Sequence, residues 1–202
     1  MQTPSRVLSW TSPVPTVSEP KTILLGDSPT LRQIAGHHKV VKDAIYLYYS
    51  PENPDFSQRC ASDPDKEHET LQEVNTTFTM SLFGAIEASF RVDYYQRTGR
   101  EQPMDDPVSH ALLNLKKKKG GRFVSFQEIR KAWKDHHSNV LSDPDLWDDI
   151  HKAFEYRNWL AHGRCLPFEQ NQRRQEDRKK YDFDTIYYLG CRIEATCPFL
   201  RP

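Results

Sequence analysis

Apolar positions recur three to four residues apart along most of this chain, a period that predicts helices rather than strands. From Thr30 to Tyr49 the recurring positions are Leu31, Ile34, Val41, Ile45 and Tyr48, and Pro51 and Pro54 end the segment. Residues 50–64, rich in Pro, Asp and Ser, read as a loop. Asp63-Pro64 then opens the longest periodic run, with Leu71, Val74, Phe78, Leu82, Ile86 and Phe90 at helical spacing and no proline before Gly99. A helix of about 30 residues is roughly 45 Å long, which suits the spine of a bundle.

Punctuation divides the second half. Residues 100–106 turn the chain, and Pro107-Val108 begins a short helix through Leu112, Leu113 and Leu115 that Gly120-Gly121 terminates. Ser125-Phe126-Gln127-Glu128 is a capping box, in which the Ser hydroxyl accepts from the Glu amide and the Glu side chain reaches back. It starts a helix that buries Ile129, Trp133 and Val140. Ser142-Asp143-Pro144 predicts another start, with Pro at the first helical position, and this helix runs to His162-Gly163, where glycine suits the C-terminal cap. Residues 169–181 are a charged link, and Ile186, Leu189, Cys191 and Ile193 predict a last helix. The expected fold is all-α, an antiparallel bundle of four to six helices without internal repeats. Residues 1–30 are set apart as an extended arm, carrying Pro4, Pro13, Pro15 and Pro20 and pinned by Trp10. Within it, Lys21 to Leu25 reads as a short strand or an anchor. The helical domain is then 31–202, with its core at about 65–195.

Composition narrows the setting. Charged residues make up 28% and hydrophobic ones 37%, and no run of 18 apolar residues exists to span a membrane. The first residues lack a charged start leading into an apolar stretch, so no signal peptide is expected. Cys60, Cys165, Cys191 and Cys197 include no Cys-x-x-Cys pair and read as incidental thiols in a reducing cytoplasm. His37-His38 and His136-His137 lack partners at ligand spacing, so neither a metal nor a cofactor is expected. Lys+Arg and Asp+Glu balance at 28 each, which argues against coating long nucleic acid by net charge. The charge is nonetheless polarised. Residues 52–73 hold seven acids against Arg59 and Lys66, whereas residues 116–134 hold eight cations against Glu128 alone. Lys116, Lys117, Lys118, Lys119 and Arg122 are candidates for an RNA-guiding patch, although a lysine run at a helix end also suits the dipole there.

The helix from Asp145 to His162 carries the sharpest chemical signal. At roughly 100° per residue, Leu146, Ile150, Ala153, Phe154, Leu160 and Ala161 form an apolar face with Arg157 in its middle. An Arg there is costly to bury unless it is paired or the face opens onto a second surface. Beside it runs a polar row of His151, Glu155, Asn158 and His162. Arg157 and His162 lie roughly 140° apart around the axis, so a two-fold dimer is the natural way to bring both onto one substrate. A cleft holding two Arg and two His suits metal-free RNA cleavage. One His takes the proton of a ribose 2′-hydroxyl, a second protonates the leaving 5′-oxygen, and Arg157 stabilises the charge on the phosphate. Asn158 holds either the His162 ring or the phosphate. The products are a 2′,3′-cyclic phosphate and a 5′-hydroxyl, and DNA is refused. The same spacing also fits a structural Arg paired with Glu87 and a surface His.

Tyr156-Arg157-Asn158-Trp159-Leu160-Ala161-His162-Gly163 resembles the Arg-x(4–6)-His motif of HEPN-domain ribonucleases. The resemblance is close over about 10 residues, topological over residues 65–195, and silent on residues 1–60. It implies a HEPN-type bundle that dimerises to build a composite RNase site from Arg157, Asn158 and His162. Glu87 and Arg91, one turn apart on the spine, are candidate supporting residues. The resemblance further implies an RNA substrate, a homodimer, a role as a toxin or anti-phage defence effector, and an inhibitory or antitoxin protein. Other members of the superfamily keep the fold without the nuclease, so a non-catalytic nucleotide- or protein-binding module is the alternative. Trp133, Trp147 and Trp159 are expected in the core or a dimer interface, with Trp159 also placed to stack on a base.

Overall fold

A computed structural model describes residues 29–53, 65–102, 104–137, 143–162 and 181–200. The expectations for the arm up to residue 28 (Trp10 and Lys21 to Leu25 included), the 54–64 loop with Asp63-Pro64, Val140, Ser142, Gly163, the 169–180 link, Cys60 and Cys165 lie outside these residues. Six helices and no strand are present among the described residues: α1 Leu31–Tyr48, α2 Lys66–Thr98, α3 Pro107–Lys119, α4 Phe126–His136, α5 Leu146–Ala161 and α6 Phe183–Thr196. The all-α expectation therefore stands. No helix of the described residues is long and apolar enough to cross a membrane.

Local chemistry sets most of the helix ends. Thr30 caps α1 with a reciprocal box to Gln33, and Ser125 does the same for α4 with Glu128. Asp106 accepts from the Ser109 amide with Pro107 in the first turn of α3, and Gly120 ends that helix at φ 57°, a conformation that glycine adopts without strain. The start of α5 departs from expectation. It begins at Leu146 rather than at Pro144, because the chain turns once more through Pro144-Asp145 while Arg192 engages the Asp143 carboxylate at 2.7 and 2.9 Å.

The 33-residue α2 touches all five other helices, so the bundle is assembled around it. Its first three turns are at most half-buried, at Leu71 and Val74 among others. From Leu82 onward, Phe83, Ile86, Phe90 and Tyr94 are buried with Trp133, Trp147, Ile150 and Ile186. Phe90 meets Phe126, Trp133, Trp147 and Phe199 edge-on or tilted, with centroids 4.8–6.4 Å apart. Gly190 lets α6 lie close to α1, since a Cβ there would stand 2.6 Å from Leu31 Cδ1. Cys191 is half-buried rather than core. Burial pushes the Cys197 thiol up to about 12. His38 is buried, stacked on Phe183 at 3.7 Å with Nε2 2.8 Å from Asn75 Oδ1, and His137 Nε2 lies 2.9 Å from the Thr196 carbonyl.

A buried ionic knot ties the far end of α2 to the end of the described chain. Arg97 is 4% exposed and Asp93 wholly buried. Arg97 Nε donates to both Asp93 oxygens at 2.8 and 2.9 Å. Its Nη1 reaches the Asp106 carboxylate and Ser109 Oγ, and its Nη2 reaches the Pro198 carbonyl. Asp93 in turn accepts from the Leu200 amide at 2.9 Å, and the guanidinium lies 5.1 Å from the centre of the Trp133 ring. Burial raises the Asp93 carboxyl, opposed by the Leu200 amide and Arg97. Removing one member of a buried pair strands the other charge, at a cost of about 3–5 kcal/mol. Arg97→Met is therefore expected to lower the urea-unfolding free energy by about that amount, whereas Lys131→Ala, breaking an exposed pair with Asp135, changes it by less than about 1 kcal/mol. Equal small losses in both variants would show that the knot does not anchor the fold.

Candidate functional site

The buried side of α5 comprises Leu146, Trp147, Ile150, Ala153 and Phe154, and then stops. Leu160 is half-buried and Ala161 exposed, so the predicted apolar face is shorter than its sequence pattern. Arg157 is accordingly not a core residue. Its side chain is 35% exposed and reaches the rim of a cleft of about 300 Å³ between α2, α4 and α5. The aliphatic stem of an arginine tolerates such a half-buried place while its head stays at the water boundary.

Glu87 lines the same cleft from α2 and serves two guanidiniums. Arg91 holds its Oε1 closely, with Nη2 at 2.6 Å and Nε at 2.8 Å, whereas Arg157 Nη2 stands 3.6 Å from Oε2. One carboxylate thus faces two cations, the tighter contact going to Arg91. The two supporting candidates and Arg157 are brought together. Arg157 Nη1 also donates to Asn158 Oδ1 at 3.2 Å, which turns the Asn158 amide toward the arginine.

His162 is the residue after the last turn of α5. It is exposed, its amide donates to the Asn158 carbonyl at 3.0 Å, and it is not among the residues lining the cleft. Arg157 and Asn158 share the cleft, and His162, roughly 140° from Arg157 around the helix, is not among its lining residues.

The cleft has walls that sequence reasoning did not assign to the site. Ser125, Phe126, Gln127 and Arg130 come from α4 and its cap, and His151, Phe154 and Glu155 from α5. His151 Nδ1 lies 3.3 Å from Arg130 Nη2, and its Nε2 lies 3.6 Å from Glu155 Oε1. Burial lowers the proton affinity of Arg130, against the pull of Glu155 and Asp148. The signal for His151 and Glu155 was the polar row of α5. For Arg130 it was only membership of a basic stretch, because the packing of α4 on α2 decides which of those cations reaches the cleft.

The lysine run divides in two. Lys116 Nζ donates to the Thr98 carbonyl at 2.7 Å, and Lys119 pairs with Glu128 at 2.6 Å, so both serve the fold. Lys117, Lys118 and Arg122 are exposed. Trp159 is half-buried against Tyr156 at 5.5 Å rather than standing free for stacking. Among the described residues no group of three or more His, Cys, Asp or Glu side chains is arranged to hold a metal. A larger cleft of about 640 Å³, lined by Leu31, Ala88, Val92, Cys197 and Phe199 among others, lies at the start of α1 and the end of the described chain.

No family model, curated protein or solved structure matches this chain.

The α4 wall depends on its capping box. The Lys119 ammonium, then the Ser125 amide and hydroxyl, hold the Glu128 carboxyl down at about 2 against an ordinary 4.5. A carboxylate depressed in the folded state stabilises it fully above its unfolded value and loses that contribution as pH falls toward its folded value. The difference in thermal midpoint between wild type and Glu128→Gln is thus expected to be constant above about pH 4.5 and to shrink toward zero near pH 2. A difference that does not change across a pH series would mean the ionised Glu128 contributes nothing at the cap.

Proposed function

We propose that the protein is a metal-independent endoribonuclease of the HEPN type, working as a homodimer and acting as a toxin or anti-phage defence effector. One observation carries the reading. Arg157 stands half-exposed at the rim of a cleft and holds only the longer, 3.6 Å share of Glu87, so its charge is not spent inside the protein. A phosphate oxygen entering the cleft finds that guanidinium within reach, with Asn158 beside it.

The reaction needs one base and one acid. A His162 imidazole accepts the 2′-hydroxyl proton while the 2′-oxygen bonds to phosphorus and the P–O5′ bond breaks. The His162 of a second copy, protonated, gives its proton to the departing 5′-oxygen, leaving a cyclic phosphate and a 5′-hydroxyl. Arg157 stabilises the extra charge on the phosphoryl oxygens during this exchange.

The rival reading is a non-catalytic nucleotide- or protein-binding module, and it too has an observation in its favour. His162 does not line the cleft that takes Arg157, so within one chain the two do not converge.

Wild type, Arg157→Ala and His162→Ala incubated with total cellular RNA and tRNA in EDTA separate the two. The expectation is cutting by wild type with cyclic-phosphate ends, and a rate loss of about 10²–10³-fold in each variant. Absence of cutting by wild type, or equal cutting by all three, would leave the binding module standing.

A further inference from the structure

Phe123 stands two residues before Ser125 of the α4 wall of the cleft, and it is 70% exposed. Exposure of that size would ordinarily be a single, meaningless surface hydrophobe. Here the ring is held. The Arg91 guanidinium lies 4.9 Å from its centre, and Arg91 Nη1 donates to the carbonyl of the next residue, Val124, at 3.3 Å. Val124 is buried, and Ser125 after it is fixed by the capping box and lines the cleft. Before Phe123 the chain turns through Gly120 and Gly121 at φ 57° and 84°, the left-handed region that glycine enters at little cost. An aromatic ring is thus clamped by one arginine, which is itself tied through Glu87 to the carboxylate that Arg157 shares.

The chemistry around the ring selects its ligand. Arg122, Lys117 and Lys118 are exposed on the same turn and helix end, and Tyr95, 51% exposed, stands one helical turn beyond Arg91 on α2. A protein partner docking on Phe123 would have to desolvate those cations, a cost that an apolar contact of one ring does not offset. A single strand of RNA offers a flat π-face for the ring and phosphates for the cations, the combination by which single strands are held without base-specific hydrogen bonds. A duplex keeps its bases stacked inside and offers no such face.

We propose that Phe123, clamped by Arg91, is a stacking platform for an unpaired base of a single-stranded RNA whose backbone enters the Arg157 cleft. The inference deepens the RNA reading of that cleft and rests on it. It selects loops, ends and other unpaired regions as substrates over helical ones.

The test is binding of a short fluorescein-labelled 2′-O-methyl oligouridylate, which lacks the free 2′-hydroxyl needed for cleavage, followed by anisotropy with full-length protein. Wild type is expected to bind it and to prefer it over the same label on a duplex. Phe123→Ala is expected to weaken binding about 5- to 100-fold, and Phe123→Leu to do the same because it keeps bulk but not the π-face. Phe123→Trp is expected to retain binding and to show quenched indole emission when the oligonucleotide is added. Circular dichroism of each variant checks that the fold is kept. No binding by wild type, unchanged binding by Phe123→Ala, or a change of oligomeric state on that substitution, which would mark a self-interface, each overturns the proposal. Binding that depends on Phe123, with unmodified RNA left uncut in EDTA, would overturn the nuclease reading and leave the platform intact. RNA cut with the same KM by wild type and Phe123→Ala would overturn the platform alone.

Discussion

A single guanidinium, that of Arg97, decides how the ends of this fold meet. It accounts for contacts among residues far apart in the chain: Asp93 a turn earlier on α2, Asp106 and Ser109 at the start of α3, and Pro198 beyond α6. Two of those partners are useful elsewhere as well, Asp106 as the cap of α3 and Asp93 as the acceptor for the Leu200 amide. Burying such charges gains little free energy compared with a well-packed apolar replacement, yet the directional bonds accept one arrangement of helices and reject others. The apolar packing of Phe90, Trp133 and Phe199 around the knot is non-directional and would tolerate slippage on its own.

The cleft lies along the same helix, nearer its middle, and uses the same device in a looser form. At the knot, Arg97 is saturated by its partners. At the cleft, Glu87 is outnumbered, with Arg91 and Arg157 both drawing on it. A second tie, from Arg192 to Asp143 and Asp149, holds the start of α5 against α6 at 2.7 Å, so the helix that carries Arg157 is fixed at its base while its last two turns carry no buried residue.

Helix ends were the most legible part of the sequence, because caps are local. The Ser125–Glu128 box and the Pro107 and Gly120 boundaries depend on residues within one turn of each other, and they fell where their chemistry put them. What escaped was set by distance in the chain. Asp93 and Arg97 are spaced like any exposed pair such as Lys131 and Asp135, and only the arrival of Asp106, Pro198 and Trp133 makes them a buried anchor. Arg157 shows the converse. Its angular position put it in the middle of an apolar face, but the fully buried positions of α5 end at Phe154, and no helical wheel registers where the neighbouring helices end. Glu87 was named as its partner in the structural reading and as a supporting residue implied by the family resemblance, whereas Ser125 and Arg130 as walls of the cleft were not legible.

The shared carboxylate has a thermodynamic consequence of its own. A polyanion bound by cations sheds the counterions condensed on its own backbone and gains the entropy of their release. Glu87 is a counterion that cannot diffuse away. Under the proposed function, a phosphate reaching Arg157 would leave that carboxylate wholly to Arg91. Occupancy of that position would be an exchange of two anions at one guanidinium, so it would gain less Coulomb energy than the charge of Arg157 alone suggests.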